Sequence, residues 1–300
     1  MRMKQPLSLS LLISLTLPFA AAAQSLSFTL KDPNKPIEVT ADQGIEWQQN
    51  EKLFIARGNA KAKQGDFNVT ADELTAHYRD TAGGGTEVYR VDAVGRVAIA
   101  SASEQAAGSA AVYDFDKAVL VIEGSPVTLT TTSGKVTAQQ AIQYWSREKV
   151  AVAEGDAEAQ DDTRRIKADR LTAFFSEEAS PSKSSSVRQG DIRVVQAEGN
   201  VTLRTAKETV RGARGEYNRE TGIAKIEGNV MMTQGENQLN GGFAVVDTKA
   251  GTSRLFGSAA EAKTSSPRAD ARVKALIAPK PKSANSAPAA PTTGQPSPNR

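Results

Sequence analysis

A short pattern that recurs along the chain limits its possible folds more than any other feature. In most copies, alternating apolar residues lead to Glu-Gly or Arg-Gly, then a polar residue, then more alternating apolar residues. A recurrence near thirty residues is typical of stacked β structure and not of a globular core around one pocket. The copies lie 29 to 44 residues apart and are centred on Gly58, Gly95, Gly124, Gly155, Gly199, Gly228 and Gly257.

The residues around each glycine predict strands with one inner and one outer face. Around Gly58, for example, Ala56 and Ala60 are apolar while the immediate neighbours Arg57 and Asn59 are polar. Side chains alternate between the two faces of a strand, so the apolar set lies on the inner face. The glycine shares the phase of that set, which predicts a bulge or a sharp bend where a side chain would not fit.

The composition disfavours several classes of function. The chain has no cysteine and one histidine, His77, which excludes disulfides and thiolate chemistry and leaves no evident catalytic triad. We therefore expect no catalytic residue, no metal site and no cofactor, and we interpret His77 as an exposed residue at a strand end. Hydrophobic residues make up 39% of the chain and aromatics 5%. This suits a two-layer β structure with a narrow interior lined by small residues.

The chain divides into four segments. Residues 1–23 have the basic start, short apolar run and Ala-rich end of a secretory signal peptide, so we expect export. A polar lead-in (24–36) precedes the β body (37–257), and a basic tail rich in Pro, Ala and Ser (258–300) is predicted to be disordered. The segment 24–257 has 28 basic and 32 acidic residues, whereas the tail has seven and two. A basic excess confined to the tail argues against a nucleic-acid partner.

A longer duplication overlies the short repeat. Residues 71–76 (ADELTA) match 168–173 (ADRLTA), which predicts a first unit at about 37–155 and a more divergent second unit at about 156–257. A Ser-rich insertion at 176–190 interrupts the second unit and predicts a solvated loop. Two strands per repeat predict about 14–16 short strands in total.

Three aspartates, Asp42, Asp72 and Asp169, recur after alanine in equivalent strands. Paired carboxylates are typical of glycoside-cleaving enzymes, which keeps open an exported β-helical enzyme acting on polysaccharide. We favour an architectural role, with each Asp closing a strand and accepting turn hydrogen bonds, because an active site is needed only once. An envelope adaptor that carries no lipid is the other alternative.

Several of these segments resemble one protein family. Residues 36–42 (PIEVTAD), 56–60 (ARGNA), 69–74 (VTADEL) and 121–124 (VIEG) are similar to the periplasmic lipopolysaccharide-transport proteins of the LptA/OstA-like family. The resemblance implies an all-β fold, an incompletely closed, twisted antiparallel β-jelly roll shaped like a V. It also implies a periplasmic, non-catalytic protein that carries the acyl chains of lipopolysaccharide (lipid A) in an apolar trough.

The resemblance further implies partners and lining residues. Family members stack head to tail by edge-strand pairing between an LptC-like inner-membrane partner and an LptD-like outer-membrane partner, and we expect the edges at 37–42 and near 243–256. A fourteen-carbon acyl chain in water costs on the order of 11 kcal/mol, at about 0.8 kcal/mol per methylene, so such cargo needs shielding. The candidate lipid-binding residues are Ile37, Val39, Phe54, Ala56, Val69, Ile99, Tyr113, Phe115, Leu120, Ile122, Val195, Leu203, Tyr217 and Ile226.

Overall fold

The computed structural model describes residues 36–176, 192–263 and 273–277, and most of them lie in β-strands. One short helix, α1 (Ala259–Lys263), lies between the last two strands. The strands are β1 (Glu38–Thr40), β2 (Ile45–Gln48), β3 (Leu53–Gln64), β4 (Phe67–Asp80), β5 (Thr86–Ala100), β6 (Glu104–Asp114), β7 (Val119–Glu123), β8 (Val127–Thr131), β9 (Gly134–Ala138), β10 (Ala141–Trp145), β11 (Val150–Gln160), β12 (Arg164–Phe175), β13 (Ile192–Thr205), β14 (Thr209–Asn218), β15 (Ile223–Gln234), β16 (Asn237–Asp247), β17 (Thr252–Phe256) and β18 (Lys274–Leu276).

All of these strands belong to one sheet, and each pairing between described strands is antiparallel. The long strands form two meanders, β3 to β6 and β11 to β16, in which each strand pairs with the next along the chain. The short strands β7 to β10 connect the two meanders. The predicted all-β, antiparallel jelly roll is therefore confirmed. The β-helical alternative is wrong for this region, because stacked coils of a β-helix need parallel pairing.

The repeated glycines mark β-bulges inside continuous strands. At Gly95 and Arg96 the φ angles are +78° and +45°. The register between β4 and β5 shifts at this point, because β5 has one more residue between paired positions than β4. Two successive left-handed residues bend the strand and strengthen its local twist. The same pair of positive φ angles recurs at 58–59, 155–156, 199–200 and 228–229.

The aligned bulges divide the sheet into two arms. Arm A contains β2, β7, β10 and β17, and arm B contains β1, β8, β9 and β18. Each long strand crosses from one arm to the other at its bulge line; β3, for example, has residues 53–57 in arm A and 60–64 in arm B. Side chains from both arms line shared cavities, so the arms face each other like the two sides of a V.

The predicted number and length of the strands need correction. The described residues form 18 strands, and ten of them are ten residues or longer. We predicted about 14–16 strands, each of them short, with a bulge or a sharp bend at each repeat glycine. A bulge leaves hydrogen bonding intact on both sides, so one long, bent strand serves both arms. At Gly124, before the cis Ser125–Pro126 peptide, the strand is interrupted into β7 and β8, and β17 ends just before Gly257.

Small apolar residues close the V along the bulge line. On either side of Gly58, Ala56 and Ala60 are 3% and 0% exposed, and Ala93 and Val97 flank Gly95 in the same way. Such small side chains allow the arms to approach closely near the bend. They belong to one core cluster that extends from Ala56 to Val201, and a second cluster extends from Leu203 to Val246.

Some of the predicted segments lie outside the described residues, and the prediction for the tail needs correction. The predicted signal peptide lies outside the described residues, as do the lead-in except for Pro36 and the loop insertion except for Ser176. The predicted boundary between the two units falls inside β11, within the continuous sheet. The prediction of a disordered tail is wrong for α1 and for β18. Residues Lys274–Leu276 pair with Asn240–Gln238 of β16, an edge that the five-residue β17 is too short to cover.

Candidate functional site

The N-terminal half of the V encloses an apolar cavity of about 310 Å³ between the two arms. Arm A contributes Phe54 and Leu74, and arm B contributes Phe67 and Val69. Its lining is apolar apart from Lys63, Gln64 and the hydroxyl group of Tyr113. This volume is within the range of small-molecule pockets, and an apolar lining of this kind favours hydrocarbon over polar ligands.

Nine of the predicted residues line this first cavity. The set comes from β1 and β3 to β7, together with Ile37 just before β1 and Phe115 just after β6. The residues are Ile37, Val39, Phe54, Ala56, Val69, Ile99, Tyr113, Phe115 and Leu120. The alternation of apolar residues around the glycines thus placed them on one inner face, although their binding role stays a prediction.

Exposed apolar side chains lie at the N-terminal end of the cavity. Ile37, Val39 and Ile45 are 46%, 39% and 52% exposed, and all three line the cavity. Trp47 is 56% exposed, stacks on Phe54 with ring centroids 5.4 Å apart, and donates a hydrogen bond from Nε1 to the Tyr78 hydroxyl at 2.7 Å. Clusters of exposed large apolar residues are typical of surfaces that bind a ligand or a partner.

Two aromatic side chains form the inner wall near the arm A turn after β6. The rings of Tyr113 and Phe115 meet edge to face with centroids 4.6 Å apart. Burial raises the pKa of the Tyr113 hydroxyl, with a smaller opposing effect from Arg147. The phenol therefore stays neutral at physiological pH and presents a mainly apolar surface to the cavity.

A second cavity of about 240 Å³ lies in the C-terminal half of the V. Its lining includes four predicted residues, Val195, Leu203, Tyr217 and Ile226. Its lining has many more charged and polar residues than that of the first cavity. They include Glu104, Asp161, Arg164, Glu216, Arg219, Lys225 and Thr248.

Ile122 is the one predicted residue that lines neither cavity. Its side chain is 2% exposed and belongs to the core cluster, which also contains Val127 from the interrupted β7–β8 repeat. Ile122 alternates correctly with its neighbours, so the inner face was predicted well. Whether an inner residue meets open space or packed side chains depends on residues far away in the sequence.

The recurring aspartates lie along the bulge line. Asp72 is in the middle of β4 and pairs with Arg96, and Asp169 in β12 accepts hydrogen bonds from the Asn200 amide at 3.0 Å. Asp42, between β1 and β2, accepts one from Asn59 at 2.7 Å. The architectural role is therefore the one the contacts support. The expectation that Asp72 and Asp169 close strands is wrong, because both lie inside strands.

His77 lies within β4, so the prediction of a strand-end position is also wrong. Its Nε2 is 2.6 Å from Asp92 Oδ2, and its side chain is 26% exposed. Across the described ranges, no group of three or more His, Asp and Glu side chains is arranged to hold a metal ion. No helix among the described residues has the length and apolar character needed to cross a membrane.

Several residues that line the two cavities were not predicted from the sequence. Ile45, Phe67 and Val91 line the first cavity, and Arg164 and Asp161 line the second. Val91 lies four residues before Gly95 and was available from the repeat pattern. Phe67 follows a turn and lies at no fixed distance from a repeat glycine. Arg164 and Asp161 are polar, so a search for alternating apolar residues does not find them.

Each end of the sheet has an edge in each arm. Among the described strands, β1 and β2 pair only with β3, and β17 and β18 pair only with β16. The edges expected at 37–42 and near 243–256 are where the structure has edge strands, with β2 and β18 completing them. Such edges present unpaired backbone groups to an added strand.

This bent antiparallel sheet around an apolar interior defines a class of β-jelly-roll proteins with an internal trough. Two overlapping segments, 38–149 and 135–252, match the family described as "LptA/(LptD N-terminal domain) LPS transport protein". The chain belongs to this family of lipopolysaccharide-transport proteins.

Two further proteins are similar to this chain. An uncharacterised protein of Rhizobium meliloti (strain 1021) is 27% identical over 130 residues, which cover 41% of this chain and 68% of that protein. The crystal structure of LptH, the LptA-homologous periplasmic component of the lipopolysaccharide transport device of Pseudomonas aeruginosa, is also similar. Its match covers 82% of this chain and 96% of LptH, with 15% identity and a TM-score of 0.21.

Proposed function

We propose that this protein is a non-catalytic, periplasmic lipopolysaccharide-binding protein that shields lipid A acyl chains in its trough. The observation that carries the proposal is the first cavity, with its nearly continuous apolar lining and exposed apolar end. Transfer of hydrocarbon from water into such a space is favourable, at roughly 25 cal/mol per Å² of buried apolar surface. No chemical step is needed to move cargo that is held only by apolar contact.

Photo-crosslinking tests the binding proposal. A photoreactive amino acid placed at Val91, Tyr113 or Phe115 faces the first cavity, so we expect it to capture lipopolysaccharide in protein purified gently from the envelope. Val94 is a matched control, because it lies on the same strand but is 56% exposed on the outer face. Equal capture at Val91 and Val94, or no capture at any inner position, would contradict lipid binding and favour an adaptor without cargo.

We propose further that copies of this protein, or this protein and its partners, join edge to edge to bridge the inner and outer membranes. The two ends of the sheet differ, so pairing between unlike ends forms an open head-to-tail stack and not a closed dimer. The expected partners are an LptC-like protein at one end and an LptD-like protein at the other. A continuous stack would align the apolar interiors of successive molecules.

A proline in β1 tests the edge proposal. Val39→Pro removes one backbone N–H from the edge strand, so we expect weaker self-association and weaker capture of the inner-membrane partner. Val39 also lines the cavity, so Val39→Ala is the control, since it trims the side chain but keeps the N–H. Analytical ultracentrifugation measures the effect. Unchanged association in Val39→Pro would show that β1 is not a pairing edge.

A further inference from the structure

The mouth of the second cavity is crossed by a cluster of polar side chains, which we call the clasp: Asp161, Arg164, Tyr217 and Thr248. Asp161 and Arg164 lie at the free end of arm B, where β12 begins. Arg164 donates to Asp161 Oδ2 from Nε at 3.2 Å and from Nη2 at 2.9 Å. Three more hydrogen bonds, from the Thr163 backbone and hydroxyl and the Arg164 backbone, hold the Asp161 carboxylate at 2.8 Å each.

The other half of the clasp comes from arm A. Arg164 Nη1 donates a hydrogen bond to the hydroxyl of Tyr217, in β14. It also donates to Oγ1 of Thr248, which follows β16, at 3.4 Å. The guanidinium also lies over the Tyr217 ring, 5.0 Å from its centroid. Thr248 is itself anchored, because its hydroxyl donates to the Gly222 carbonyl at 2.9 Å. Contacts between the free ends of two arms necessarily cross the open side of the V.

A second bridge crosses the same side nearer the C-terminal end. The Ser253 hydroxyl of β17, in arm A, donates to the carboxylate of Glu208, which lies in the arm B turn before β14. In the first half of the V, the ion pairs of Arg57 with Glu46 and of Lys52 with Asp80 join neighbouring strands within arm A. The two halves of the trough therefore differ at their rims, with apolar exposure in one and polar bridges in the other.

The clasp is partly accessible to water. The side chains of Arg164 and Asp161 are 27% and 36% exposed, so water can replace their partners. The closed form is favoured only by the free energy of these contacts. A ligand that binds the open form more tightly therefore shifts the equilibrium between closed and open forms towards the open one. All four clasp residues also line the second cavity, so their separation changes access to it directly.

We propose that Arg164 is a gating residue, whose contact with Tyr217 and Thr248 closes the second cavity and whose release admits an acyl chain from the open side or from the first cavity. This inference rests on the proposed lipid-carrying function for its ligand, but the opening itself is measurable without lipid. Arg164→Met removes the clasp and keeps an extended side chain. Tyr217→Phe is a milder variant that removes one hydroxyl contact.

The matched control is Arg165→Met. Arg165 is the next residue on β12, and its ion pair with Glu158, at 3.4 Å, stays within arm B. The chain has no cysteine, so Ala173→Cys places a unique thiol in the second cavity. We expect Arg164→Met to raise the rate at which an alkyl maleimide labels this thiol by about tenfold, equivalent to about 1.4 kcal/mol. Tyr217→Phe should raise it less, and Arg165→Met should leave it unchanged.

A second measurement uses lipopolysaccharide itself. With a photoreactive residue at Val195 in the second cavity, Arg164→Met should increase capture, whereas capture at Val91 in the first cavity should not change. Equal labelling in Arg164→Met and Arg165→Met would overturn the gate, as would reduced capture at Val195. A different result would separate the two proposals. If no variant captured lipopolysaccharide at Val91 but Arg164→Met still raised the rate of thiol labelling, the lipid-carrying function would be overturned and the gating role of Arg164 would be supported. Circular dichroism confirms that each variant is folded.

Discussion

Substitution of Gly228 tests whether close packing across the bulge line determines the shape of the sheet. Gly228 has a φ of +84°, and a Cβ added there would lie 2.7 Å from the Ala213 Cβ, with the next atoms at 3.5 and 3.7 Å. Gly235, in the turn between β15 and β16, has a φ of +58° and no atom within 4 Å of such a Cβ. Both positions disfavour alanine by conformation, but only Gly228 adds a collision.

The difference sets the expected magnitudes. A left-handed conformation costs alanine roughly 1–2 kcal/mol, which is the whole effect expected for Gly235→Ala. Overpacking adds about 1–3 kcal/mol, so Gly228→Ala should lower the free energy of unfolding by about 2–5 kcal/mol. For a chain of this size each kcal/mol corresponds to roughly 2–4 °C in Tm. Gly228→Ala should therefore lower Tm by roughly 2–12 °C more than Gly235→Ala does.

A second substitution separates the collision from the conformational cost. Ala213→Gly removes the methyl group that Gly228→Ala would strike, at its own cost of roughly 0.5–1 kcal/mol. In the double variant we expect about 1–3 kcal/mol of the loss to be recovered, as a double-mutant cycle measures. Far-UV circular dichroism during heating reports Tm. Equal shifts for Gly228→Ala and Gly235→Ala, without recovery in the double variant, would refute the packing argument.

Two other predictions concern the core and the clasp. Ile122→Ala should lower the free energy of unfolding by about 2–5 kcal/mol, because it leaves a void in the core. It should not change lipid capture at Val91 in a crosslinking assay, because Ile122 is buried outside both cavities. Burial opposes ionisation of Asp161, but hydrogen bonds from Thr163 and the charge of Arg164 outweigh it and lower its pKa from 3.8. Asp161 therefore stabilises the fold above pH 3.8, and this contribution is lost as the pH falls through the lowered value. Melting curves should show wild type losing Tm relative to Asp161→Asn as the pH drops from 6 to 3; parallel curves would contradict this.

Much of the fold was predictable because its signal is local. A residue two or four positions from a repeat glycine lies on the same face whatever the rest of the chain does, so Ala56, Ile99 and Val195 were placed on the inner face correctly. The glycine spacing likewise predicted where bends occur. The sequence left two alternatives for each bend, since a bulge and a sharp bend both favour a glycine.

The remainder depends on contacts between distant residues. Ile122 and Leu120 have the same inner phase on β7, yet only Leu120 meets open space. Arg164 and Tyr217 are 53 residues apart, and nothing in either neighbourhood indicates that they meet. The strand at Lys274–Leu276 was hidden in a polar tail, because its place in the sheet comes from the open edge of β16 and not from its own sequence.

The sequence by itself determined the repeat, the alternation of faces and the positions of the bends, because these depend on neighbours along a strand. The tertiary structure alone decided which inner residues enclose space, where the two arms touch across the opening and which segments cover the sheet edges. Those features arise when two arms, each regular on its own, are folded face to face by a row of bulges.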